Sequence, residues 1–511
     1  MSKPSTLSAE KRNVIIIGAG MYGLVAAKTY LQINPDVNLT ICIRVYACLV
    51  TDLPSPAFEL SDLQMSEEFG MPKWADIPRD VMHEYLERYS KKFDILRRIQ
   101  FRTEVLNVTR SGKGWELLTK VMEEDFGTVK EDIMTCDVLL VATGLHSRPK
   151  MPDLDISAFQ GIVIHARDLH KCHEDIISEN IQSVVVLIRE DGASAGMLLN
   201  AKLASVMEYH SPTLDGYRGW WDRFYLSGRN RFGTRLFYAF WNKLTEQGLE
   251  FFDPSTKASL SKSLEPRFLS INGNSFQLTN GTSVEADAVI FATGWQAETI
   301  PFFSNTLQAE LGLPAAYWDK IDTAADKQIM DLYPIFATAP TSAVRERPNT
   351  QFRLLRTIIP PKLASKGDRS IVFLGHLSNT LHGFFAETST LWAIAYLEGL
   401  LPDALLGTKE DMDKKVALEN AFMLKRYPGR RNILWCVLEI RDWMDVMLKE
   451  LGVRTNRGRV AWKKRPDRGF GWWGWRAWFH EWFVAYEPVM YKEIVDEFLE
   501  RVRGDGTDVL K

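Results

Sequence analysis

Six residues near the start of the chain have the types and spacing to hold a phosphorylated ligand. Gly18, Ala19, Gly20, Met21, Tyr22 and Gly23 fit GxGxxG. In that pattern the first glycine allows a tight turn. The second lets backbone approach a pyrophosphate, and the third lets the next helix pack closely on the strand. The context is the required one. Val14 to Ile17 is a short β-branched run that reads as a buried strand, and Leu24 to about Gln32 reads as a helix. Its N-terminus presents free N–H groups and the positive end of a dipole to an anion.

A second unit of the same kind is weaker. The strand 182–188 leads into Arg189-Glu190-Asp191-Gly192-Ala193-Ser194-Ala195-Gly196, and a helix is expected from Met197 to Met207. Gly192, Ser194 and Ala195 sit where a phosphate loop would. Glu190 and Asp191 bring negative charge to the same place, which is unfavourable for phosphate unless those side chains turn outward.

The elements that position these loops follow from periodicity. A second strand is expected over Val37 to Ile43, and a dinucleotide fold calls for an acidic residue at its end to hold the ribose. None lies between Asp36 and Asp52. The proline-bearing stretch from Pro54 to Pro78 reads as loop, and Asp80 to Phe93 as an amphipathic helix. Phe101 to Thr109 and Trp115 to Lys120 read as strands of a small antiparallel sheet. Cys136 to Ala142 reads as one apolar strand running into Thr143-Gly144. Ser275 to Leu278 and Ser283 to Phe291 form a hairpin about Asn280-Gly281, the latter strand running into Ala292-Thr293-Gly294-Trp295. Ser370 to Leu374 is a further strand ending at Gly375, followed by an apolar helix from Phe384 to Leu400. From Lys409 on the pattern is helical and aromatic. The strands at the start, at 136–142, at 284–291 and at 370–374 share one character, with another βα unit between them.

The chain has 511 residues, room for two or more domains. Its net charge of −3 gives no global attraction to nucleic acid. Five cysteines, Cys42, Cys48, Cys136, Cys172 and Cys436, are scattered without a CxxC pair, which points to a reduced, cytoplasmic setting and away from disulfide-reductase chemistry. The first residues lack a secretory apolar core, and no apolar run approaches the roughly 18 residues of a spanning helix. Tyr217 to Leu244 is aromatic and basic. Its expected role is a helical layer burying aromatics, with a membrane-surface or substrate-entrance element as the sharper reading. Membrane association, there or through Gly471 to Trp482, is not the favoured expectation.

Taken together, these motifs resemble the flavin-containing monooxygenases, in particular their fungal dimethylaniline-monooxygenase-like branch. Gly18 to Gly23 resembles the FAD pyrophosphate loop. Phe159-Gln160-Gly161-Ile162-Val163-Ile164-His165 matches the family's FxGxxxH fingerprint, which accounts for His165 without a metal cluster involving His170, Cys172 and His173. Ala142-Thr143-Gly144 and Ala292-Thr293-Gly294-Trp295 match the paired linkers between two nucleotide domains. Phe373-Leu374-Gly375 resembles the late flavin-contacting segment.

The resemblance implies an α/β fold of two nested Rossmann-like dinucleotide-binding domains with a helical, aromatic-rich C-terminal part. The FAD domain would comprise 1–177 and 286–511, interrupted by an NADPH domain at 178–285. It implies FAD and NADPH as cofactors and no metal. NADPH would reduce the flavin, dioxygen would give a C4a-hydroperoxide, and a soft nucleophile, nitrogen or sulfur, of an apolar small molecule would take the distal oxygen. Leu169 stands where Baeyer–Villiger relatives carry Trp-Pro, which favours heteroatom oxidation; ketone oxidation and N-hydroxylation are the alternatives within the fold.

The resemblance also marks Thr51 and Asp52 as flavin neighbours, with Asp52 where Asn or Gln is usual. A carboxylate there donates no hydrogen bond unless protonated, and burial would raise its pKa. Measured against the family pattern, about fifteen residues carrying the acidic ribose ligand and a Gly-Gly-x-Trp loop are missing after Ile43, and Glu190 stands where the NADPH loop has its first glycine. These departures leave a second expectation open, a catalytically impaired protein from a shortened gene product.

Overall fold

The computed structural model describes residues 11–43, 55–72, 75, 77–122, 129–144, 149–151, 154–168, 184–188, 220, 223–224, 227–250, 268–278, 281–295, 300–313, 319–338, 352–427, 434, 436, 439–464, 476–477, 481 and 486–504. The strands are β1 (Asn13–Ile17), β2 (Asn38–Cys42), β3 (Ile99–Gln100), β4 (Thr103–Ser111), β5 (Gly114–Met122), β6 (Val129–Cys136), β7 (Val138–Val141), β8 (Ile162–His165), β9 (Val184–Ile188), β10 (Phe268–Asn272), β11 (Ser275–Leu278), β12 (Ser283–Glu285), β13 (Ala288–Ala292) and β14 (Ile371–Phe373). The helices that matter here are α1 (Met21–Ile33), α2 (Arg79–Lys92), α3 (Arg231–Glu250), α4 (Asp319–Leu332), α5 (His382–Leu397), α6 (Lys409–Arg426), α7 (Ile440–Glu450) and α8 (Ile494–Arg503).

Two parallel sheets carry the nucleotide loops. The first has the order β14-β7-β1-β2-β3, and the second has the order β8-β13-β9. Parallel strands must be covered on both faces, and their composition shows it. Val14, Ile15, Ile16 and Ile17 of β1 are all buried, as are the four residues of β7 and the three of β14. Each parallel sheet is fed by an antiparallel one, β4-β5-β6 and β10-β11-β12 respectively.

Two expectations need correcting at these junctions. Cys136 to Ala142 is not one strand. β6 ends at Cys136 and β7 starts at Val138, because Asp137 carries the chain from one sheet to the other. The Asp137 N–H donates to the Asn13 carbonyl at 2.9 Å, and the Asn13 N–H donates to Asp137 Oδ2 at 2.8 Å. Likewise Ser283 to Phe291 divides. β12 pairs antiparallel with β11, and β13 pairs parallel with β8 and β9 after Asp287. Both crossings therefore read Asp, four apolar residues, then Ala-Thr-Gly. The strand 288–292 lies in the second sheet with 162–165 and 184–188, not with β1, β7 and β14.

The stretch 54–78 also holds more than loop, with single helical turns at Ser55–Phe58 and Met65–Glu68. The helix expected from Met197 to Met207 lies outside the described residues.

α1 and α5 form the covering layer of the first sheet. α5 is buried from Gly383 to Leu397 and apolar all round, the signature of a helix enclosed by protein. Its few polar side chains are satisfied locally where they can be; Thr390 Oγ1 donates to the Ala386 carbonyl at 2.6 Å. The Thr388 hydroxyl has no hydrogen-bond partner, and neither has one carboxylate oxygen of Glu387. Its Oε1 accepts the Ser61 N–H at 3.0 Å and the Ser61 hydroxyl at 2.7 Å, and its Oε2 has no partner. Around it stand the Lys28–Asp62 ion pair, Glu59, Tyr85 and Tyr89. Burial is the main cause of a Glu387 pKa pushed up to about 7.

Candidate nucleotide-binding site

The GxGxxG residues sit at the carboxyl edge of the first sheet, where ligands bind in open α/β sheets. Gly18 has φ of 109°, a conformation that L side chains rarely adopt, and an added Cβ would lie 2.4 Å from the Ala142 carbonyl oxygen. A Cβ on Gly23 would lie 1.9 Å from the Gly18 carbonyl oxygen, so α1 rests directly on the turn. Gly20 differs, since nothing lies within 4 Å of a Cβ built there. It is the N-cap of α1, and neither a capping side chain nor an acidic residue competes for the first-turn N–H groups. The loop thus has an open, electropositive face above Gly20, which fits a pyrophosphate.

Gly375 joins this edge from β14. Its φ is 74°, and a Cβ there would meet the Tyr22 ring at 2.9 Å. Tyr22 in turn packs edge-on against Phe385 of α5 at 6.2 Å. Asn379, which the sequence reading did not single out, completes the arrangement. Its Nδ2 donates to the Tyr22 hydroxyl at 3.2 Å, and its Oδ1 accepts the N–H of Leu381, the N-cap of α5, at 3.0 Å. α5 also starts without a side-chain cap or a first-turn acid. Two uncapped helix N-termini are therefore linked through Tyr22 at one sheet edge, with Gly20 the N-cap of α1 and Gly375 against the Tyr22 ring. Nothing in the local sequence around Asn379 signals this; only Tyr22, already inside the motif, pointed to it.

The end of β2 shows the departure from the dinucleotide pattern. The Ile43 N–H donates to the Gln100 carbonyl at 3.2 Å, and the Ile43 carbonyl accepts the Thr103 N–H at 3.0 Å. Both backbone groups are used in pairing, so Ile43 offers the ribose position an aliphatic side chain and no carboxylate. Thr51, Asp52, Gly192, Ser194 and Ala195 lie outside the described residues, as do Leu169, His170, Cys172 and His173. Among the described residues no group of His, Cys, Asp and Glu is placed to hold a metal.

His165 lies at the junction of the two units. Its Nδ1 accepts the Arg167 N–H at 3.1 Å, which places the ring proton on Nε2, and Nε2 lies 3.1 Å from the Gly294 carbonyl. Burial lowers the pKa of the ring and keeps it neutral. The same Gly294 carbonyl accepts the Lys150 N–H at 2.9 Å, and the Thr293 hydroxyl donates to the Lys150 carbonyl. The ring also meets Trp295 edge-on at 5.6 Å. FxGxxxH and the second Ala-Thr-Gly are thus parts of one clasp, with both His165 ring nitrogens engaged in it.

The fold and this edge define an α/β protein with two parallel sheets, the first of which carries a glycine loop open to an anionic ligand. The comparisons with known proteins name the class. Residues 40–205 match the flavin-binding monooxygenase-like family. The chain is 25% identical, over 97% of its own length and 97% of the relative's, to FAD-dependent monooxygenase DEP4 of Alternaria brassicicola. It is 27% identical, over 87% of its length and 93% of the relative's, to FAD-dependent monooxygenase rstn6 of Aspergillus nomiae. Its fold is similar to that of S-allyl-L-cysteine S-oxygenase from Allium sativum, with a TM-score of 0.51 at 16% identity, covering 97% of this chain and 98% of the other. The chain is thus similar to flavin-dependent monooxygenases of the flavin-binding monooxygenase-like family, and the two relatives named are fungal. The alignment with the Alternaria relative spans 606 positions, more than the 511 residues of this chain, so that relative carries segments absent here.

Proposed function

We propose that the protein uses FAD and NADPH to insert one oxygen atom of dioxygen into a soft nucleophile, nitrogen or sulfur, of an apolar small molecule. The observation that carries this is the open face at Gly20, the N-cap of α1, whose first turn has neither a capping side chain nor an acidic residue. Gly18 to Gly23 would hold the FAD pyrophosphate, and Gly375 would lie against the flavin with Tyr22 fixed beside it. Thr51 and Asp52 would flank the ring. Gly192, Ser194 and Ala195 after β9 would hold the NADPH phosphates, and we take this second unit to run from about Lys150 to Gly294, around β8, β9 and β13. The flavin supplies the redox and oxygen chemistry when bound. The chain's own task is to bind, to orient and to keep water out. Heteroatom oxidation is supported by Leu169 in place of Trp-Pro, and the S-oxygenase fold likeness is in keeping with it.

One observation favours a second reading. With Ile43 at the end of β2, the ribose of a dinucleotide lacks its carboxylate partner, which points to a protein that holds flavin weakly and turns over poorly. Both readings meet the same experiment. The purified protein is examined for flavin absorbance, then titrated with FAD and assayed for NADPH oxidation with an amine and with a sulfide. A yellow protein that oxygenates either substrate supports the first reading. Flavin binding only at high added FAD, with little turnover, supports the second. A protein that stays colourless with excess FAD refutes both.

A further inference from the structure

α3 faces two ways. On its inner side Phe237 is buried in the main core, and Trp241 is packed against it and lies under the Arg426 guanidinium at 5.8 Å. Gly233 is pressed onto the 223–224 segment, where a Cβ would lie 2.0 Å from the Phe224 carbonyl oxygen. Asn230 fixes the start, its Oδ1 accepting the N–H groups of Phe232 at 2.9 Å and Gly233 at 3.0 Å. The expected layer of buried aromatics accounts for this side only.

The outer side carries Phe232 at 64% exposure and Leu236 at 39%, one turn apart, in line with exposed Ala239. Trp220, 72% exposed, stacks on Phe224 at 5.4 Å, and Phe224 meets Phe232 at 6.2 Å, so the apolar surface continues beyond the helix. Exposed Arg231 and Arg235 border the apolar stripe on the same face, and exposed Lys243 follows it two turns on. None of these three makes an ion pair among the described residues. Between Asp222 and Glu246 the sequence has five basic residues, Arg223, Arg229, Arg231, Arg235 and Lys243, and no acidic one.

Apolar side chains of this size, held outward and bordered by Arg231 and Arg235, match the interface of an anionic bilayer. The rings enter the acyl boundary and the arginines stay among the phosphates. A protein partner would have to present an acidic rim and an apolar pocket together at this spacing, whereas an anionic bilayer offers both layers everywhere on its surface. We propose that the outer face of α3 docks the protein on anionic phospholipid membranes. Among the described residues no helix is long and apolar enough to cross one, so the attachment is peripheral.

The test is co-flotation of the whole protein with vesicles of phosphatidylcholine alone or mixed with phosphatidylserine. The expected result is binding to the mixed vesicles that salt weakens. Each basic residue near such a surface strengthens binding about fivefold, so Arg231→Gln with Arg235→Gln should weaken it about 25-fold. Phe232→Ser with Leu236→Ser should abolish it while the melting temperature is kept, since all four side chains are exposed. No flotation with the mixed vesicles overturns the proposal, as does unchanged flotation of both double variants. Concentration-dependent dimers that Phe232→Ser with Leu236→Ser dissolves would assign the face to a second copy of the chain and overturn it too.

Discussion

Glu387 makes the stability of this protein depend on pH in a direction opposite to that of most carboxylates. The side chain is 4% exposed, and burial holds its pKa at about 7 against an ordinary value of 4.5. Below pH 4.5 the group is protonated folded and unfolded alike, and its contribution does not vary. Between 4.5 and 7 the unfolded chain releases the proton while the folded chain keeps it, so the unfolded state gains. At about 1.36 kcal/mol per pH unit, that window removes about 3 kcal/mol of stability, and above pH 7 the loss is complete.

Glu387→Gln keeps a carbonyl oxygen for the Ser61 N–H and hydroxyl but cannot ionise. Denaturant unfolding of both proteins at pH 5 and pH 8 then isolates the group. The variant should gain about 2–3 kcal/mol on the wild type between the two pH values, whatever constant offset the new amide brings. The neighbouring Lys28, Asp62, Tyr85 and Tyr89 are present in both proteins, so the comparison turns on the carboxyl at 387. If the two proteins lose or gain stability in parallel from pH 5 to pH 8, the carboxyl is not held protonated in the fold, and the reasoning fails.

Gly20→Ala separates ligand binding from folding. With φ of −74° and open space around the Cβ, it should leave the apo melting point unchanged or slightly raised, while weakening FAD binding at least tenfold in a fluorescence titration. Gly23→Ala should do the reverse in order of cause. Its Cβ cannot avoid the Gly18 carbonyl, so overpacking costs about 1–3 kcal/mol in denaturant unfolding, and flavin retention falls as a consequence. His165→Leu strips the Arg167 N–H and the Gly294 carbonyl of a partner and should cost about 1–3 kcal/mol, seen as a lower melting temperature and faster proteolysis near 150–168. Arg353 is 4% exposed and holds Asp322 of α4 with bonds of 2.7 and 2.6 Å. Arg353→Met should cost about 3–5 kcal/mol by taking from Asp322 its bidentate guanidinium partner, and adding Asp322→Asn should restore much of it.

What could be read from the residues alone was the part with a strong local signal. The run Val14 to Ile17 with its glycines, the helix at 79–92 and the apolar strands before each Ala-Thr-Gly all carry their burial in their composition. β6 does not. Val129 to Cys136 is exposed along most of its length, so it has polar residues where a strand pattern needs apolar ones, and only pairing with β5 makes it a strand. The breaks at Asp137 and Asp287 were hidden for another reason. Apolar character continues across them, and a change of sheet is a long-range event with no composition of its own. The position of 288–292 beside β8 and β9 is of the same kind. At the site, GxGxxG was legible because each glycine is forced by a local contact. Asn379 was not, because its partner Tyr22 is 357 residues away. The inner and outer sides of α3 were merged into one aromatic stretch, since aromatics occur on both.

The strand order β14-β7-β1-β2-β3 sets a timetable for the newborn chain. The glycine turn is made first, but Tyr22 finds Gly375, Asn379 and Phe385 only after residue 385 exists. At about 5–20 residues per second, the loop waits for roughly 18–70 s of synthesis before its edge is complete. From the time each is made, β7 offers the groups that β14 will pair, and α1 offers the apolar side that α5 will cover. Chaperone demand, and the moment at which flavin can first be captured, are thereby tied to the far end of the chain and not to the motif that announces it.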